Sequence, residues 1–331
     1  MNKGRISRNL ARKHLKNVEC KVVKRLDQTI LVITVIEVSL ILWLRLLLAS
    51  GTTLAIAYIT ACLFLFLRQN RFIFKPPIVI RTTPIAFNMS YQDVWLPVSI
   101  ASDKTSYIHG WWIPAATPEA PVWLFLHGNG STIGDEVKRA FWFHQLGFST
   151  LMIDYRGYGR SKGMFPTESS VYEDVEATWN YLTQVRKIPA EQIFVYGHSL
   201  GGAIAIELAL RHPEIAGLAV EGTFTSMRVM VNHLHNQLLI FPVDLLLNQR
   251  FDSLNKVQAL SMPILFIHGS ADRVVPTHMS QSLFAAAPEP KQLLLVLQAG
   301  HHDVGELGGD QYLQAIHWVV EQARRSPLAQ H

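Results

Sequence analysis

The sequence predicts an α/β fold built on a mainly parallel sheet, preceded by a membrane-embedded segment. Three observations predict it. Short, largely apolar runs recur between residues 122 and 297, each ending at a glycine-bearing loop, as buried parallel strands do. One of them, Ile193 to Tyr196, enters Gly197-His198-Ser199-Leu200-Gly201, and the alanine-rich amphipathic run Ala203 to Leu210 follows. That is strand, sharp turn and helix in succession, with glycines where a strained turn would crowd and a serine at the helix N-terminus. The third observation is an almost continuous apolar stretch from Ile30 to Leu67.

The chain begins with a basic tail. Residues 1–28 carry nine Lys and Arg against Glu19 and Asp27, a surplus of seven. The net charge of +5 therefore leaves the other 303 residues slightly acidic. Basicity confined to a tail suits a cytoplasmic topogenic signal or a patch for anionic lipid. No P-loop, zinc-finger or RNA-binding motif occurs, so a nucleic-acid partner is not expected. The apolar segment 29–67 is the expected membrane anchor. As one helix, Ile30–Leu67 would run about 57 Å against a bilayer core of about 30 Å. Splitting it at Ser50-Gly51 gives pieces of about 28 and 24 Å, a helical hairpin or one span beside an interfacial helix. Basic flanks on both sides (Lys21, Lys24 and Arg25; Arg68, Arg71 and Lys75) then keep tail and enzyme on one cytoplasmic face. Glu37 near mid-membrane argues for the alternative, a single span with the two on opposite faces. The long n-region and extensive apolar run do not fit a cleavable signal peptide.

Pro76-Pro77 and Pro84 mark residues 68–90 as an extended linker. Asp93–Val98 and Ser106–Trp112 read as an antiparallel entry to the sheet. Val122–Leu126 is the next strand, and the loop His127-Gly128-Asn129-Gly130-Ser131 after it can turn backbone N–H groups toward a nucleophile. The helix Asp135–Leu146 and the strand Phe148–Asp154 follow, with Asp154 and Arg156 as structural partners in a glycine-rich loop. Val171–Val185 is helical, and Gly217–Val220 is a strand ending at Glu221. Thr223–Leu260 has mixed helical spacing, and reads equally as a short helix packed on the sheet or as the lining of an acyl pocket.

A serine nucleophile requires a base, and the base an orienting acid. The buried strand Pro263–Ile267 leads into a loop holding Asp272. The run Gln292–Leu297 leads to Ala299-Gly300-His301-His302. Ser199, Asp272 and His301 are the expected catalytic residues, with the N–H groups of Asn129 and Leu200 as oxyanion donors. Glu221, also at a strand end, is the alternative acid, and His302 the alternative base. His127 and His268, each closing a strand before a glycine, read as structural histidines. The two cysteines, Cys20 and Cys62, lie outside the folded domain, which therefore has neither a disulfide nor a cysteine nucleophile. His233 and His235 are two apart and face different ways on a helix, so no metal site is expected.

From roughly Phe72 to Gln322 the chain resembles the α/β-hydrolase superfamily, most of all small serine hydrolases carried on an N-terminal membrane anchor. The matching residues are His127-Gly128-Asn129, Asp154-Tyr155-Arg156-Gly157-Tyr158-Gly159, Gly197-His198-Ser199-Leu200-Gly201-Gly202, Gly269-Ser270-Ala271-Asp272 and Ala299-Gly300-His301. The order Ser199, Asp272, His301 is that of the family, and His301-His302-Asp303 stands where relatives often have His-Asn-Asp. The resemblance implies an eight-stranded sheet with helices on both faces, in a domain over residues 91–325 with a short cap at about 223–260 and a tail at 326–331. It implies acyl transfer to water without a cofactor, on a small-molecule or lipid acyl substrate at a membrane. A peptidase of the same fold, or a membrane scaffold that binds an acyl ligand without turnover, are the alternatives.

Overall fold

The computed structural model describes residues 3–100 and 104–325, so the expected tail at 326–331 lies outside the described residues. Two compact units divide the chain, Met1–Phe64 and Leu65–His331.

The first unit consists of the helix α1, Lys3–Ile73, whose last turns belong to the second. From Leu31 to Ile59 its large apolar side chains are exposed around the whole circumference, as on a helix that meets lipid. By length and composition α1 can cross a membrane. The break expected at Ser50-Gly51 is absent, and α1 runs through it without interruption. A glycine inside a helix costs only about 1 kcal/mol. The first proline of the chain is Pro76, beyond the helix, so no ring blocks the backbone ladder. Thr52 and Thr53 donate their hydroxyls to the carbonyls of Leu48 and Ala49, keeping the polar side chains within the helical turn. A hairpin needs a reversal that α1 does not contain.

The second unit carries an eight-stranded sheet in the order β1-β2-β4-β3-β5-β6-β7-β8. The strands are β1 Gln92–Ile100, β2 Lys104–Ile113, β3 Val122–Leu126, β4 Ser149–Ile153, β5 Ile193–His198, β6 Gly217–Glu221, β7 Ile264–Gly269 and β8 Lys291–Val296. Pairings β1/β2 and β2/β4 are antiparallel, and the other five are parallel. β3 through β7 are buried along their whole length, which is why they read as largely apolar runs, although β4 opens with Ser149-Thr150. The helices are α2 Val137–Gln145, α3 Glu168–Asn180, α4 Leu200–Arg211, α5 Met227–Leu234, α6 Val243–Leu246, α7 Ser253–Val257, α8 His278–Ala286 and α9 Val304–Arg325.

The core divides into two clusters, which hold the alternate side chains of β3 through β5. Leu124, Val195 and Val220 join Ala203, Ile204 and Leu208 of α4 in one. Trp123, Phe125 and Tyr196 join Phe143 of α2 and Ile316 of α9 in the other. Parallel strands all point their C-terminal ends the same way, so the loops after β3, β5, β6, β7 and β8 gather at one edge. Thr223–Leu260 is neither a single packed helix nor a closed apolar wall. It forms α5, a 3-10 turn at Asn236–Ile240, α6 and α7, with Met230 buried but Leu234, Leu239 and Leu245 exposed.

Candidate active site

Ser199 sits between β5 and α4 with φ 55° and ψ −116°, a backbone conformation that costs a non-glycine residue about 1–3 kcal/mol. The surroundings compel it. Gly201 lies so close under β3 that a Cβ would fall 2.1 Å from the carbonyl oxygen of Leu126, so only glycine lets the first turn of α4 pack there. The Ser199 N–H donates to the Glu221 carbonyl (2.8 Å) and Thr223 Oγ1 donates to the Ser199 carbonyl (2.8 Å), fixing the turn from the β6 side.

The three expected catalytic residues meet. His301 Nε2 lies 3.0 Å from Ser199 Oγ, and His301 Nδ1 lies 2.6 Å from Asp272 Oδ2. Because the carboxylate only accepts, Nδ1 carries the proton and Nε2 is left to accept from the serine hydroxyl. Asp272 is itself held: its Oδ1 accepts from the N–H groups of Val274 and Val275. Burial pushes the Asp272 carboxyl up, but hydrogen bonds from His268 and His301 outweigh this and hold it below the ordinary carboxylate range. Burial lowers the His301 imidazole below the ordinary histidine range, against the pull of Asp272, so its neutral, proton-accepting form prevails at neutral pH.

The Asn129 loop lies beside the nucleophile. A Cβ on Gly128 would be 3.2 Å from Ser199 Cβ. Leu200, as the first residue of α4, has an N–H with no carbonyl four residues back inside the helix. The loop after β3 and the first residue of α4, which carry the two expected oxyanion donors, thus both adjoin Ser199.

Glu221 does not reach the base. Its carboxylate accepts from Arg139 Nη2 (2.5 Å) and from the Tyr196 hydroxyl, and Arg139 Nη1 also binds Glu136 (2.5 Å). Burial pushes the Glu221 carboxyl up and the Arg139 guanidinium more than reverses it. The exposed His302 ring packs edge-on against His301 (4.9 Å between centroids) and bonds to neither Ser199 nor Asp272, while its carbonyl accepts from Arg139 Nη2 (3.3 Å). His127 is buried, with Nδ1 2.8 Å from its neighbour's carbonyl oxygen. Asp154 and Arg156 are structural without being each other's partners. Asp154 accepts from the Ile133 N–H, while Arg156 pairs with Asp174 at 2.7 Å. Both lie in the loop beyond β4, where Asp154 is taken up by the loop before α2 and Arg156 by α3, so closeness in sequence did not make them partners.

Two contributors escape sequence reasoning. His268 is more than a strand-end histidine: its Nε2 lies 3.2 Å from Asp272 Oδ2 while Ser280 occupies Nδ1 at 2.6 Å. The four-residue spacing of His268 and Asp272 was its only sequence signal. His198, between the glycine and the serine, places Nε2 3.0 Å from the His301 carbonyl oxygen and Nδ1 3.5 Å from Glu136. No sequence signal links positions 103 residues apart.

Among the described residues no cluster of His, Cys, Asp and Glu has metal-binding geometry. The profile described as "Serine aminopeptidase, S33" matches residues 117–253. Rv2307c of Mycobacterium tuberculosis is 31% identical over 77% of this chain and 88% of its own. The alpha/beta hydrolase domain-containing protein WAV2 of Arabidopsis thaliana is 29% identical over 70% of this chain and 78% of its own. The chain belongs to the α/β-hydrolase superfamily. Among solved structures, the esterase Pf2001 of Pyrococcus furiosus superposes with a TM-score of 0.63 at 19% identity, covering 75% of this chain and 97% of the esterase. That likeness is one of fold: this α/β hydrolase carries the eight-stranded sheet the resemblance implied, with its serine elbow after β5.

Proposed function

We propose that the protein is a membrane-anchored serine hydrolase that cleaves acyl esters or thioesters through an acyl-enzyme. The observation that carries this reading is the continuous hydrogen-bonded line from Ser199 Oγ through His301 to Asp272. In this reading His301 Nε2 takes the hydroxyl proton as Ser199 Oγ bonds to the substrate carbonyl carbon. Asp272 orients the imidazole and stabilises its charged form. The N–H groups of Asn129 and Leu200 receive the oxyanion. As the tetrahedral adduct collapses, His301 gives the proton to the leaving oxygen or sulfur. Water, deprotonated by His301, then attacks the acyl-Ser199 ester, and the carboxylic acid leaves as Ser199 recovers its proton.

Membrane attachment is assigned to α1. The 22 residues Leu46–Leu67 carry no charge and run about 33 Å, the thickness of a hydrocarbon core. That window leaves Glu37 and Arg45 outside the hydrocarbon. With α1 unbroken we infer one crossing, and the basic tail, the richer in Lys and Arg, holds the cytoplasmic side while the hydrolase domain lies on the other. Protease added to sealed right-side-out vesicles should then remove a C-terminal tag and spare an N-terminal one; protection of both tags would restore the two-crossing topology.

A fluorophosphonate probe tests the chemistry. Wild type labels and Ser199→Ala does not, whereas a ligand-binding scaffold labels in neither. The matched profile's description gives an aminopeptidase as the second reading. A panel of p-nitrophenyl esters, acyl thioesters and aminoacyl anilides decides between them, since esterase chemistry predicts turnover of the first two and peptidase chemistry of the third.

A further inference from the structure

The chain that leaves α1 does not pass the hydrolase fold as a free tether. It is bonded into the loop that bears an oxyanion donor. The last turns of α1, from Leu65, belong to the same compact unit as the sheet. Gln69 is buried, and its amide makes four hydrogen bonds. Nε2 donates to the carbonyls of Phe66 (2.8 Å) and Leu246 (3.0 Å), while Oε1 accepts from the N–H groups of Asn248 (2.9 Å) and Gln249 (3.3 Å). This holds the helix end against the cap. Phe74, 1% exposed, packs edge-on to Phe251 at 6.1 Å. Beyond it, Gly159 donates its N–H to the Pro77 carbonyl (2.8 Å).

Between these fixed points lies Asn129. Its Nδ2 donates to the Ile73 carbonyl (2.6 Å), and its Oδ1 accepts from the Lys75 N–H (2.9 Å) and from the Tyr158 hydroxyl (2.9 Å). The partners determine which way the amide faces, because a carbonyl requires the NH2 and a backbone N–H requires the oxygen. Three bonds from three directions leave the side chain no alternative rotamer. The backbone N–H of the same residue is the proposed oxyanion donor, and such a donor acts only when aimed at the developing charge.

We propose that Ile73–Lys75, where the membrane helix ends, is a positioning element for the oxyanion hole, acting through the side chain of Asn129. The end of the anchor is thereby part of the catalytic scaffold: displacing it rotates Asn129 and misdirects its N–H. The proposal rests on the reading of Ser199 as nucleophile and Asn129 N–H as oxyanion donor.

The test uses the full chain in detergent or nanodiscs, with Lys75→Pro, which removes the one N–H, Asn129→Ala, which removes all three side-chain bonds, and the double variant. Activity on a soluble short-chain p-nitrophenyl ester is expressed per site titrated to completion with fluorophosphonate, so misfolded protein does not count. A trifluoromethyl ketone, which forms a tetrahedral oxyanion on the serine, reports the hole directly. Removing an oxyanion donor outright costs about 100- to 1000-fold, so misdirecting one should cost about 10-fold. The expected result is a kcat about 10-fold lower in each single variant, KM within twofold of wild type, and a ketone Ki raised by the same factor as kcat falls. The double variant is no worse than Asn129→Ala, because both changes break one linkage. Single variants with kcat and Ki within twofold of wild type overturn the proposal, as does a loss of kcat with unchanged Ki, or a double variant equal to the product of the singles. Should Lys75→Pro not fold, Asn129→Ala and its Ki decide alone. Absence of Ser199-dependent hydrolysis in the wild type is a separate outcome that removes the functional reading itself.

Discussion

Replacing Asp272 by Asn probes the logic of the site with one atom. Asp272 Oδ1 receives the Val274 and Val275 N–H groups, and an asparagine keeps those bonds only by placing its carbonyl oxygen there. Its NH2 then faces His301 Nδ1, where Asp272 Oδ2 had stood at 2.6 Å. A donor facing Nδ1 forces the proton to Nε2, and His301 can no longer accept from Ser199. Loss of the carboxylate also removes the partner of the imidazolium that forms in the transition state. Two charges with centres about 4 Å apart interact by about 4 kcal/mol at an effective dielectric of about 20, or about three powers of ten in rate. The wrong tautomer adds about one more, so kcat should fall about 10⁴-fold. The assay is p-nitrophenyl ester hydrolysis across pH 4–9 with the melting curve as a control on folding. In wild type the base must be neutral, so kcat/KM rises with pH through the His301 pKa, which burial holds below the ordinary histidine range. The acidic limb should therefore lie below about pH 6.5. The reasoning is refuted if the folded Asp272→Asn variant retains a tenth of wild-type activity, or if Glu221→Gln is the more damaging change.

Three further outcomes follow from the same geometry. Ser199→Ala and His301→Ala should each lower kcat by about 10⁶, measured in single-turnover assays, while His302→Ala stays within about tenfold because its ring is exposed and bonded to neither Ser199 nor Asp272. Glu221→Gln should cost about 1–3 kcal/mol of stability in denaturant titration, since it weakens the hold on buried Arg139 but leaves Glu136 as its carboxylate partner, and stability should fall in acid. The sign follows from Glu136, Glu221 and Asp272, whose carboxyls are all held below their ordinary range. The unfolded chain binds more protons below about pH 4.5, so their stabilisation is present above that pH and is lost as pH falls through the folded values. Gly201→Ala should unfold at a markedly lower temperature, because its Cβ would lie 2.1 Å from the Leu126 carbonyl oxygen, and recovery of a wild-type melting point would show that α4 can move away from β3.

Local patterning decided much of this protein in advance. Largely apolar runs marked β3 through β7 because strands covered on both faces have no polar side. The glycines around Ser199 marked the turn because close backbone approach excludes a Cβ, and the apolar composition of residues 30–67 marked the helix that became α1. These are properties of neighbours in sequence. What only tertiary structure decided are pairings over distance. Asp272 and Glu221 both end strands on one edge, yet Arg139 claims Glu221 from another helix and leaves Asp272 to His301. His301 and His302 are adjacent, and the packing of the loop selects which ring meets Ser199. Ser50-Gly51 suggested a turn from composition alone, but a weak helix former breaks a helix only where a competing arrangement is more stable, and the chain around it supplies none. The sequence marked Asn129 as an expected backbone donor. That its side chain grips the end of α1 required the fold to bring residues 73 and 75 to residue 129, a contact no local periodicity encodes.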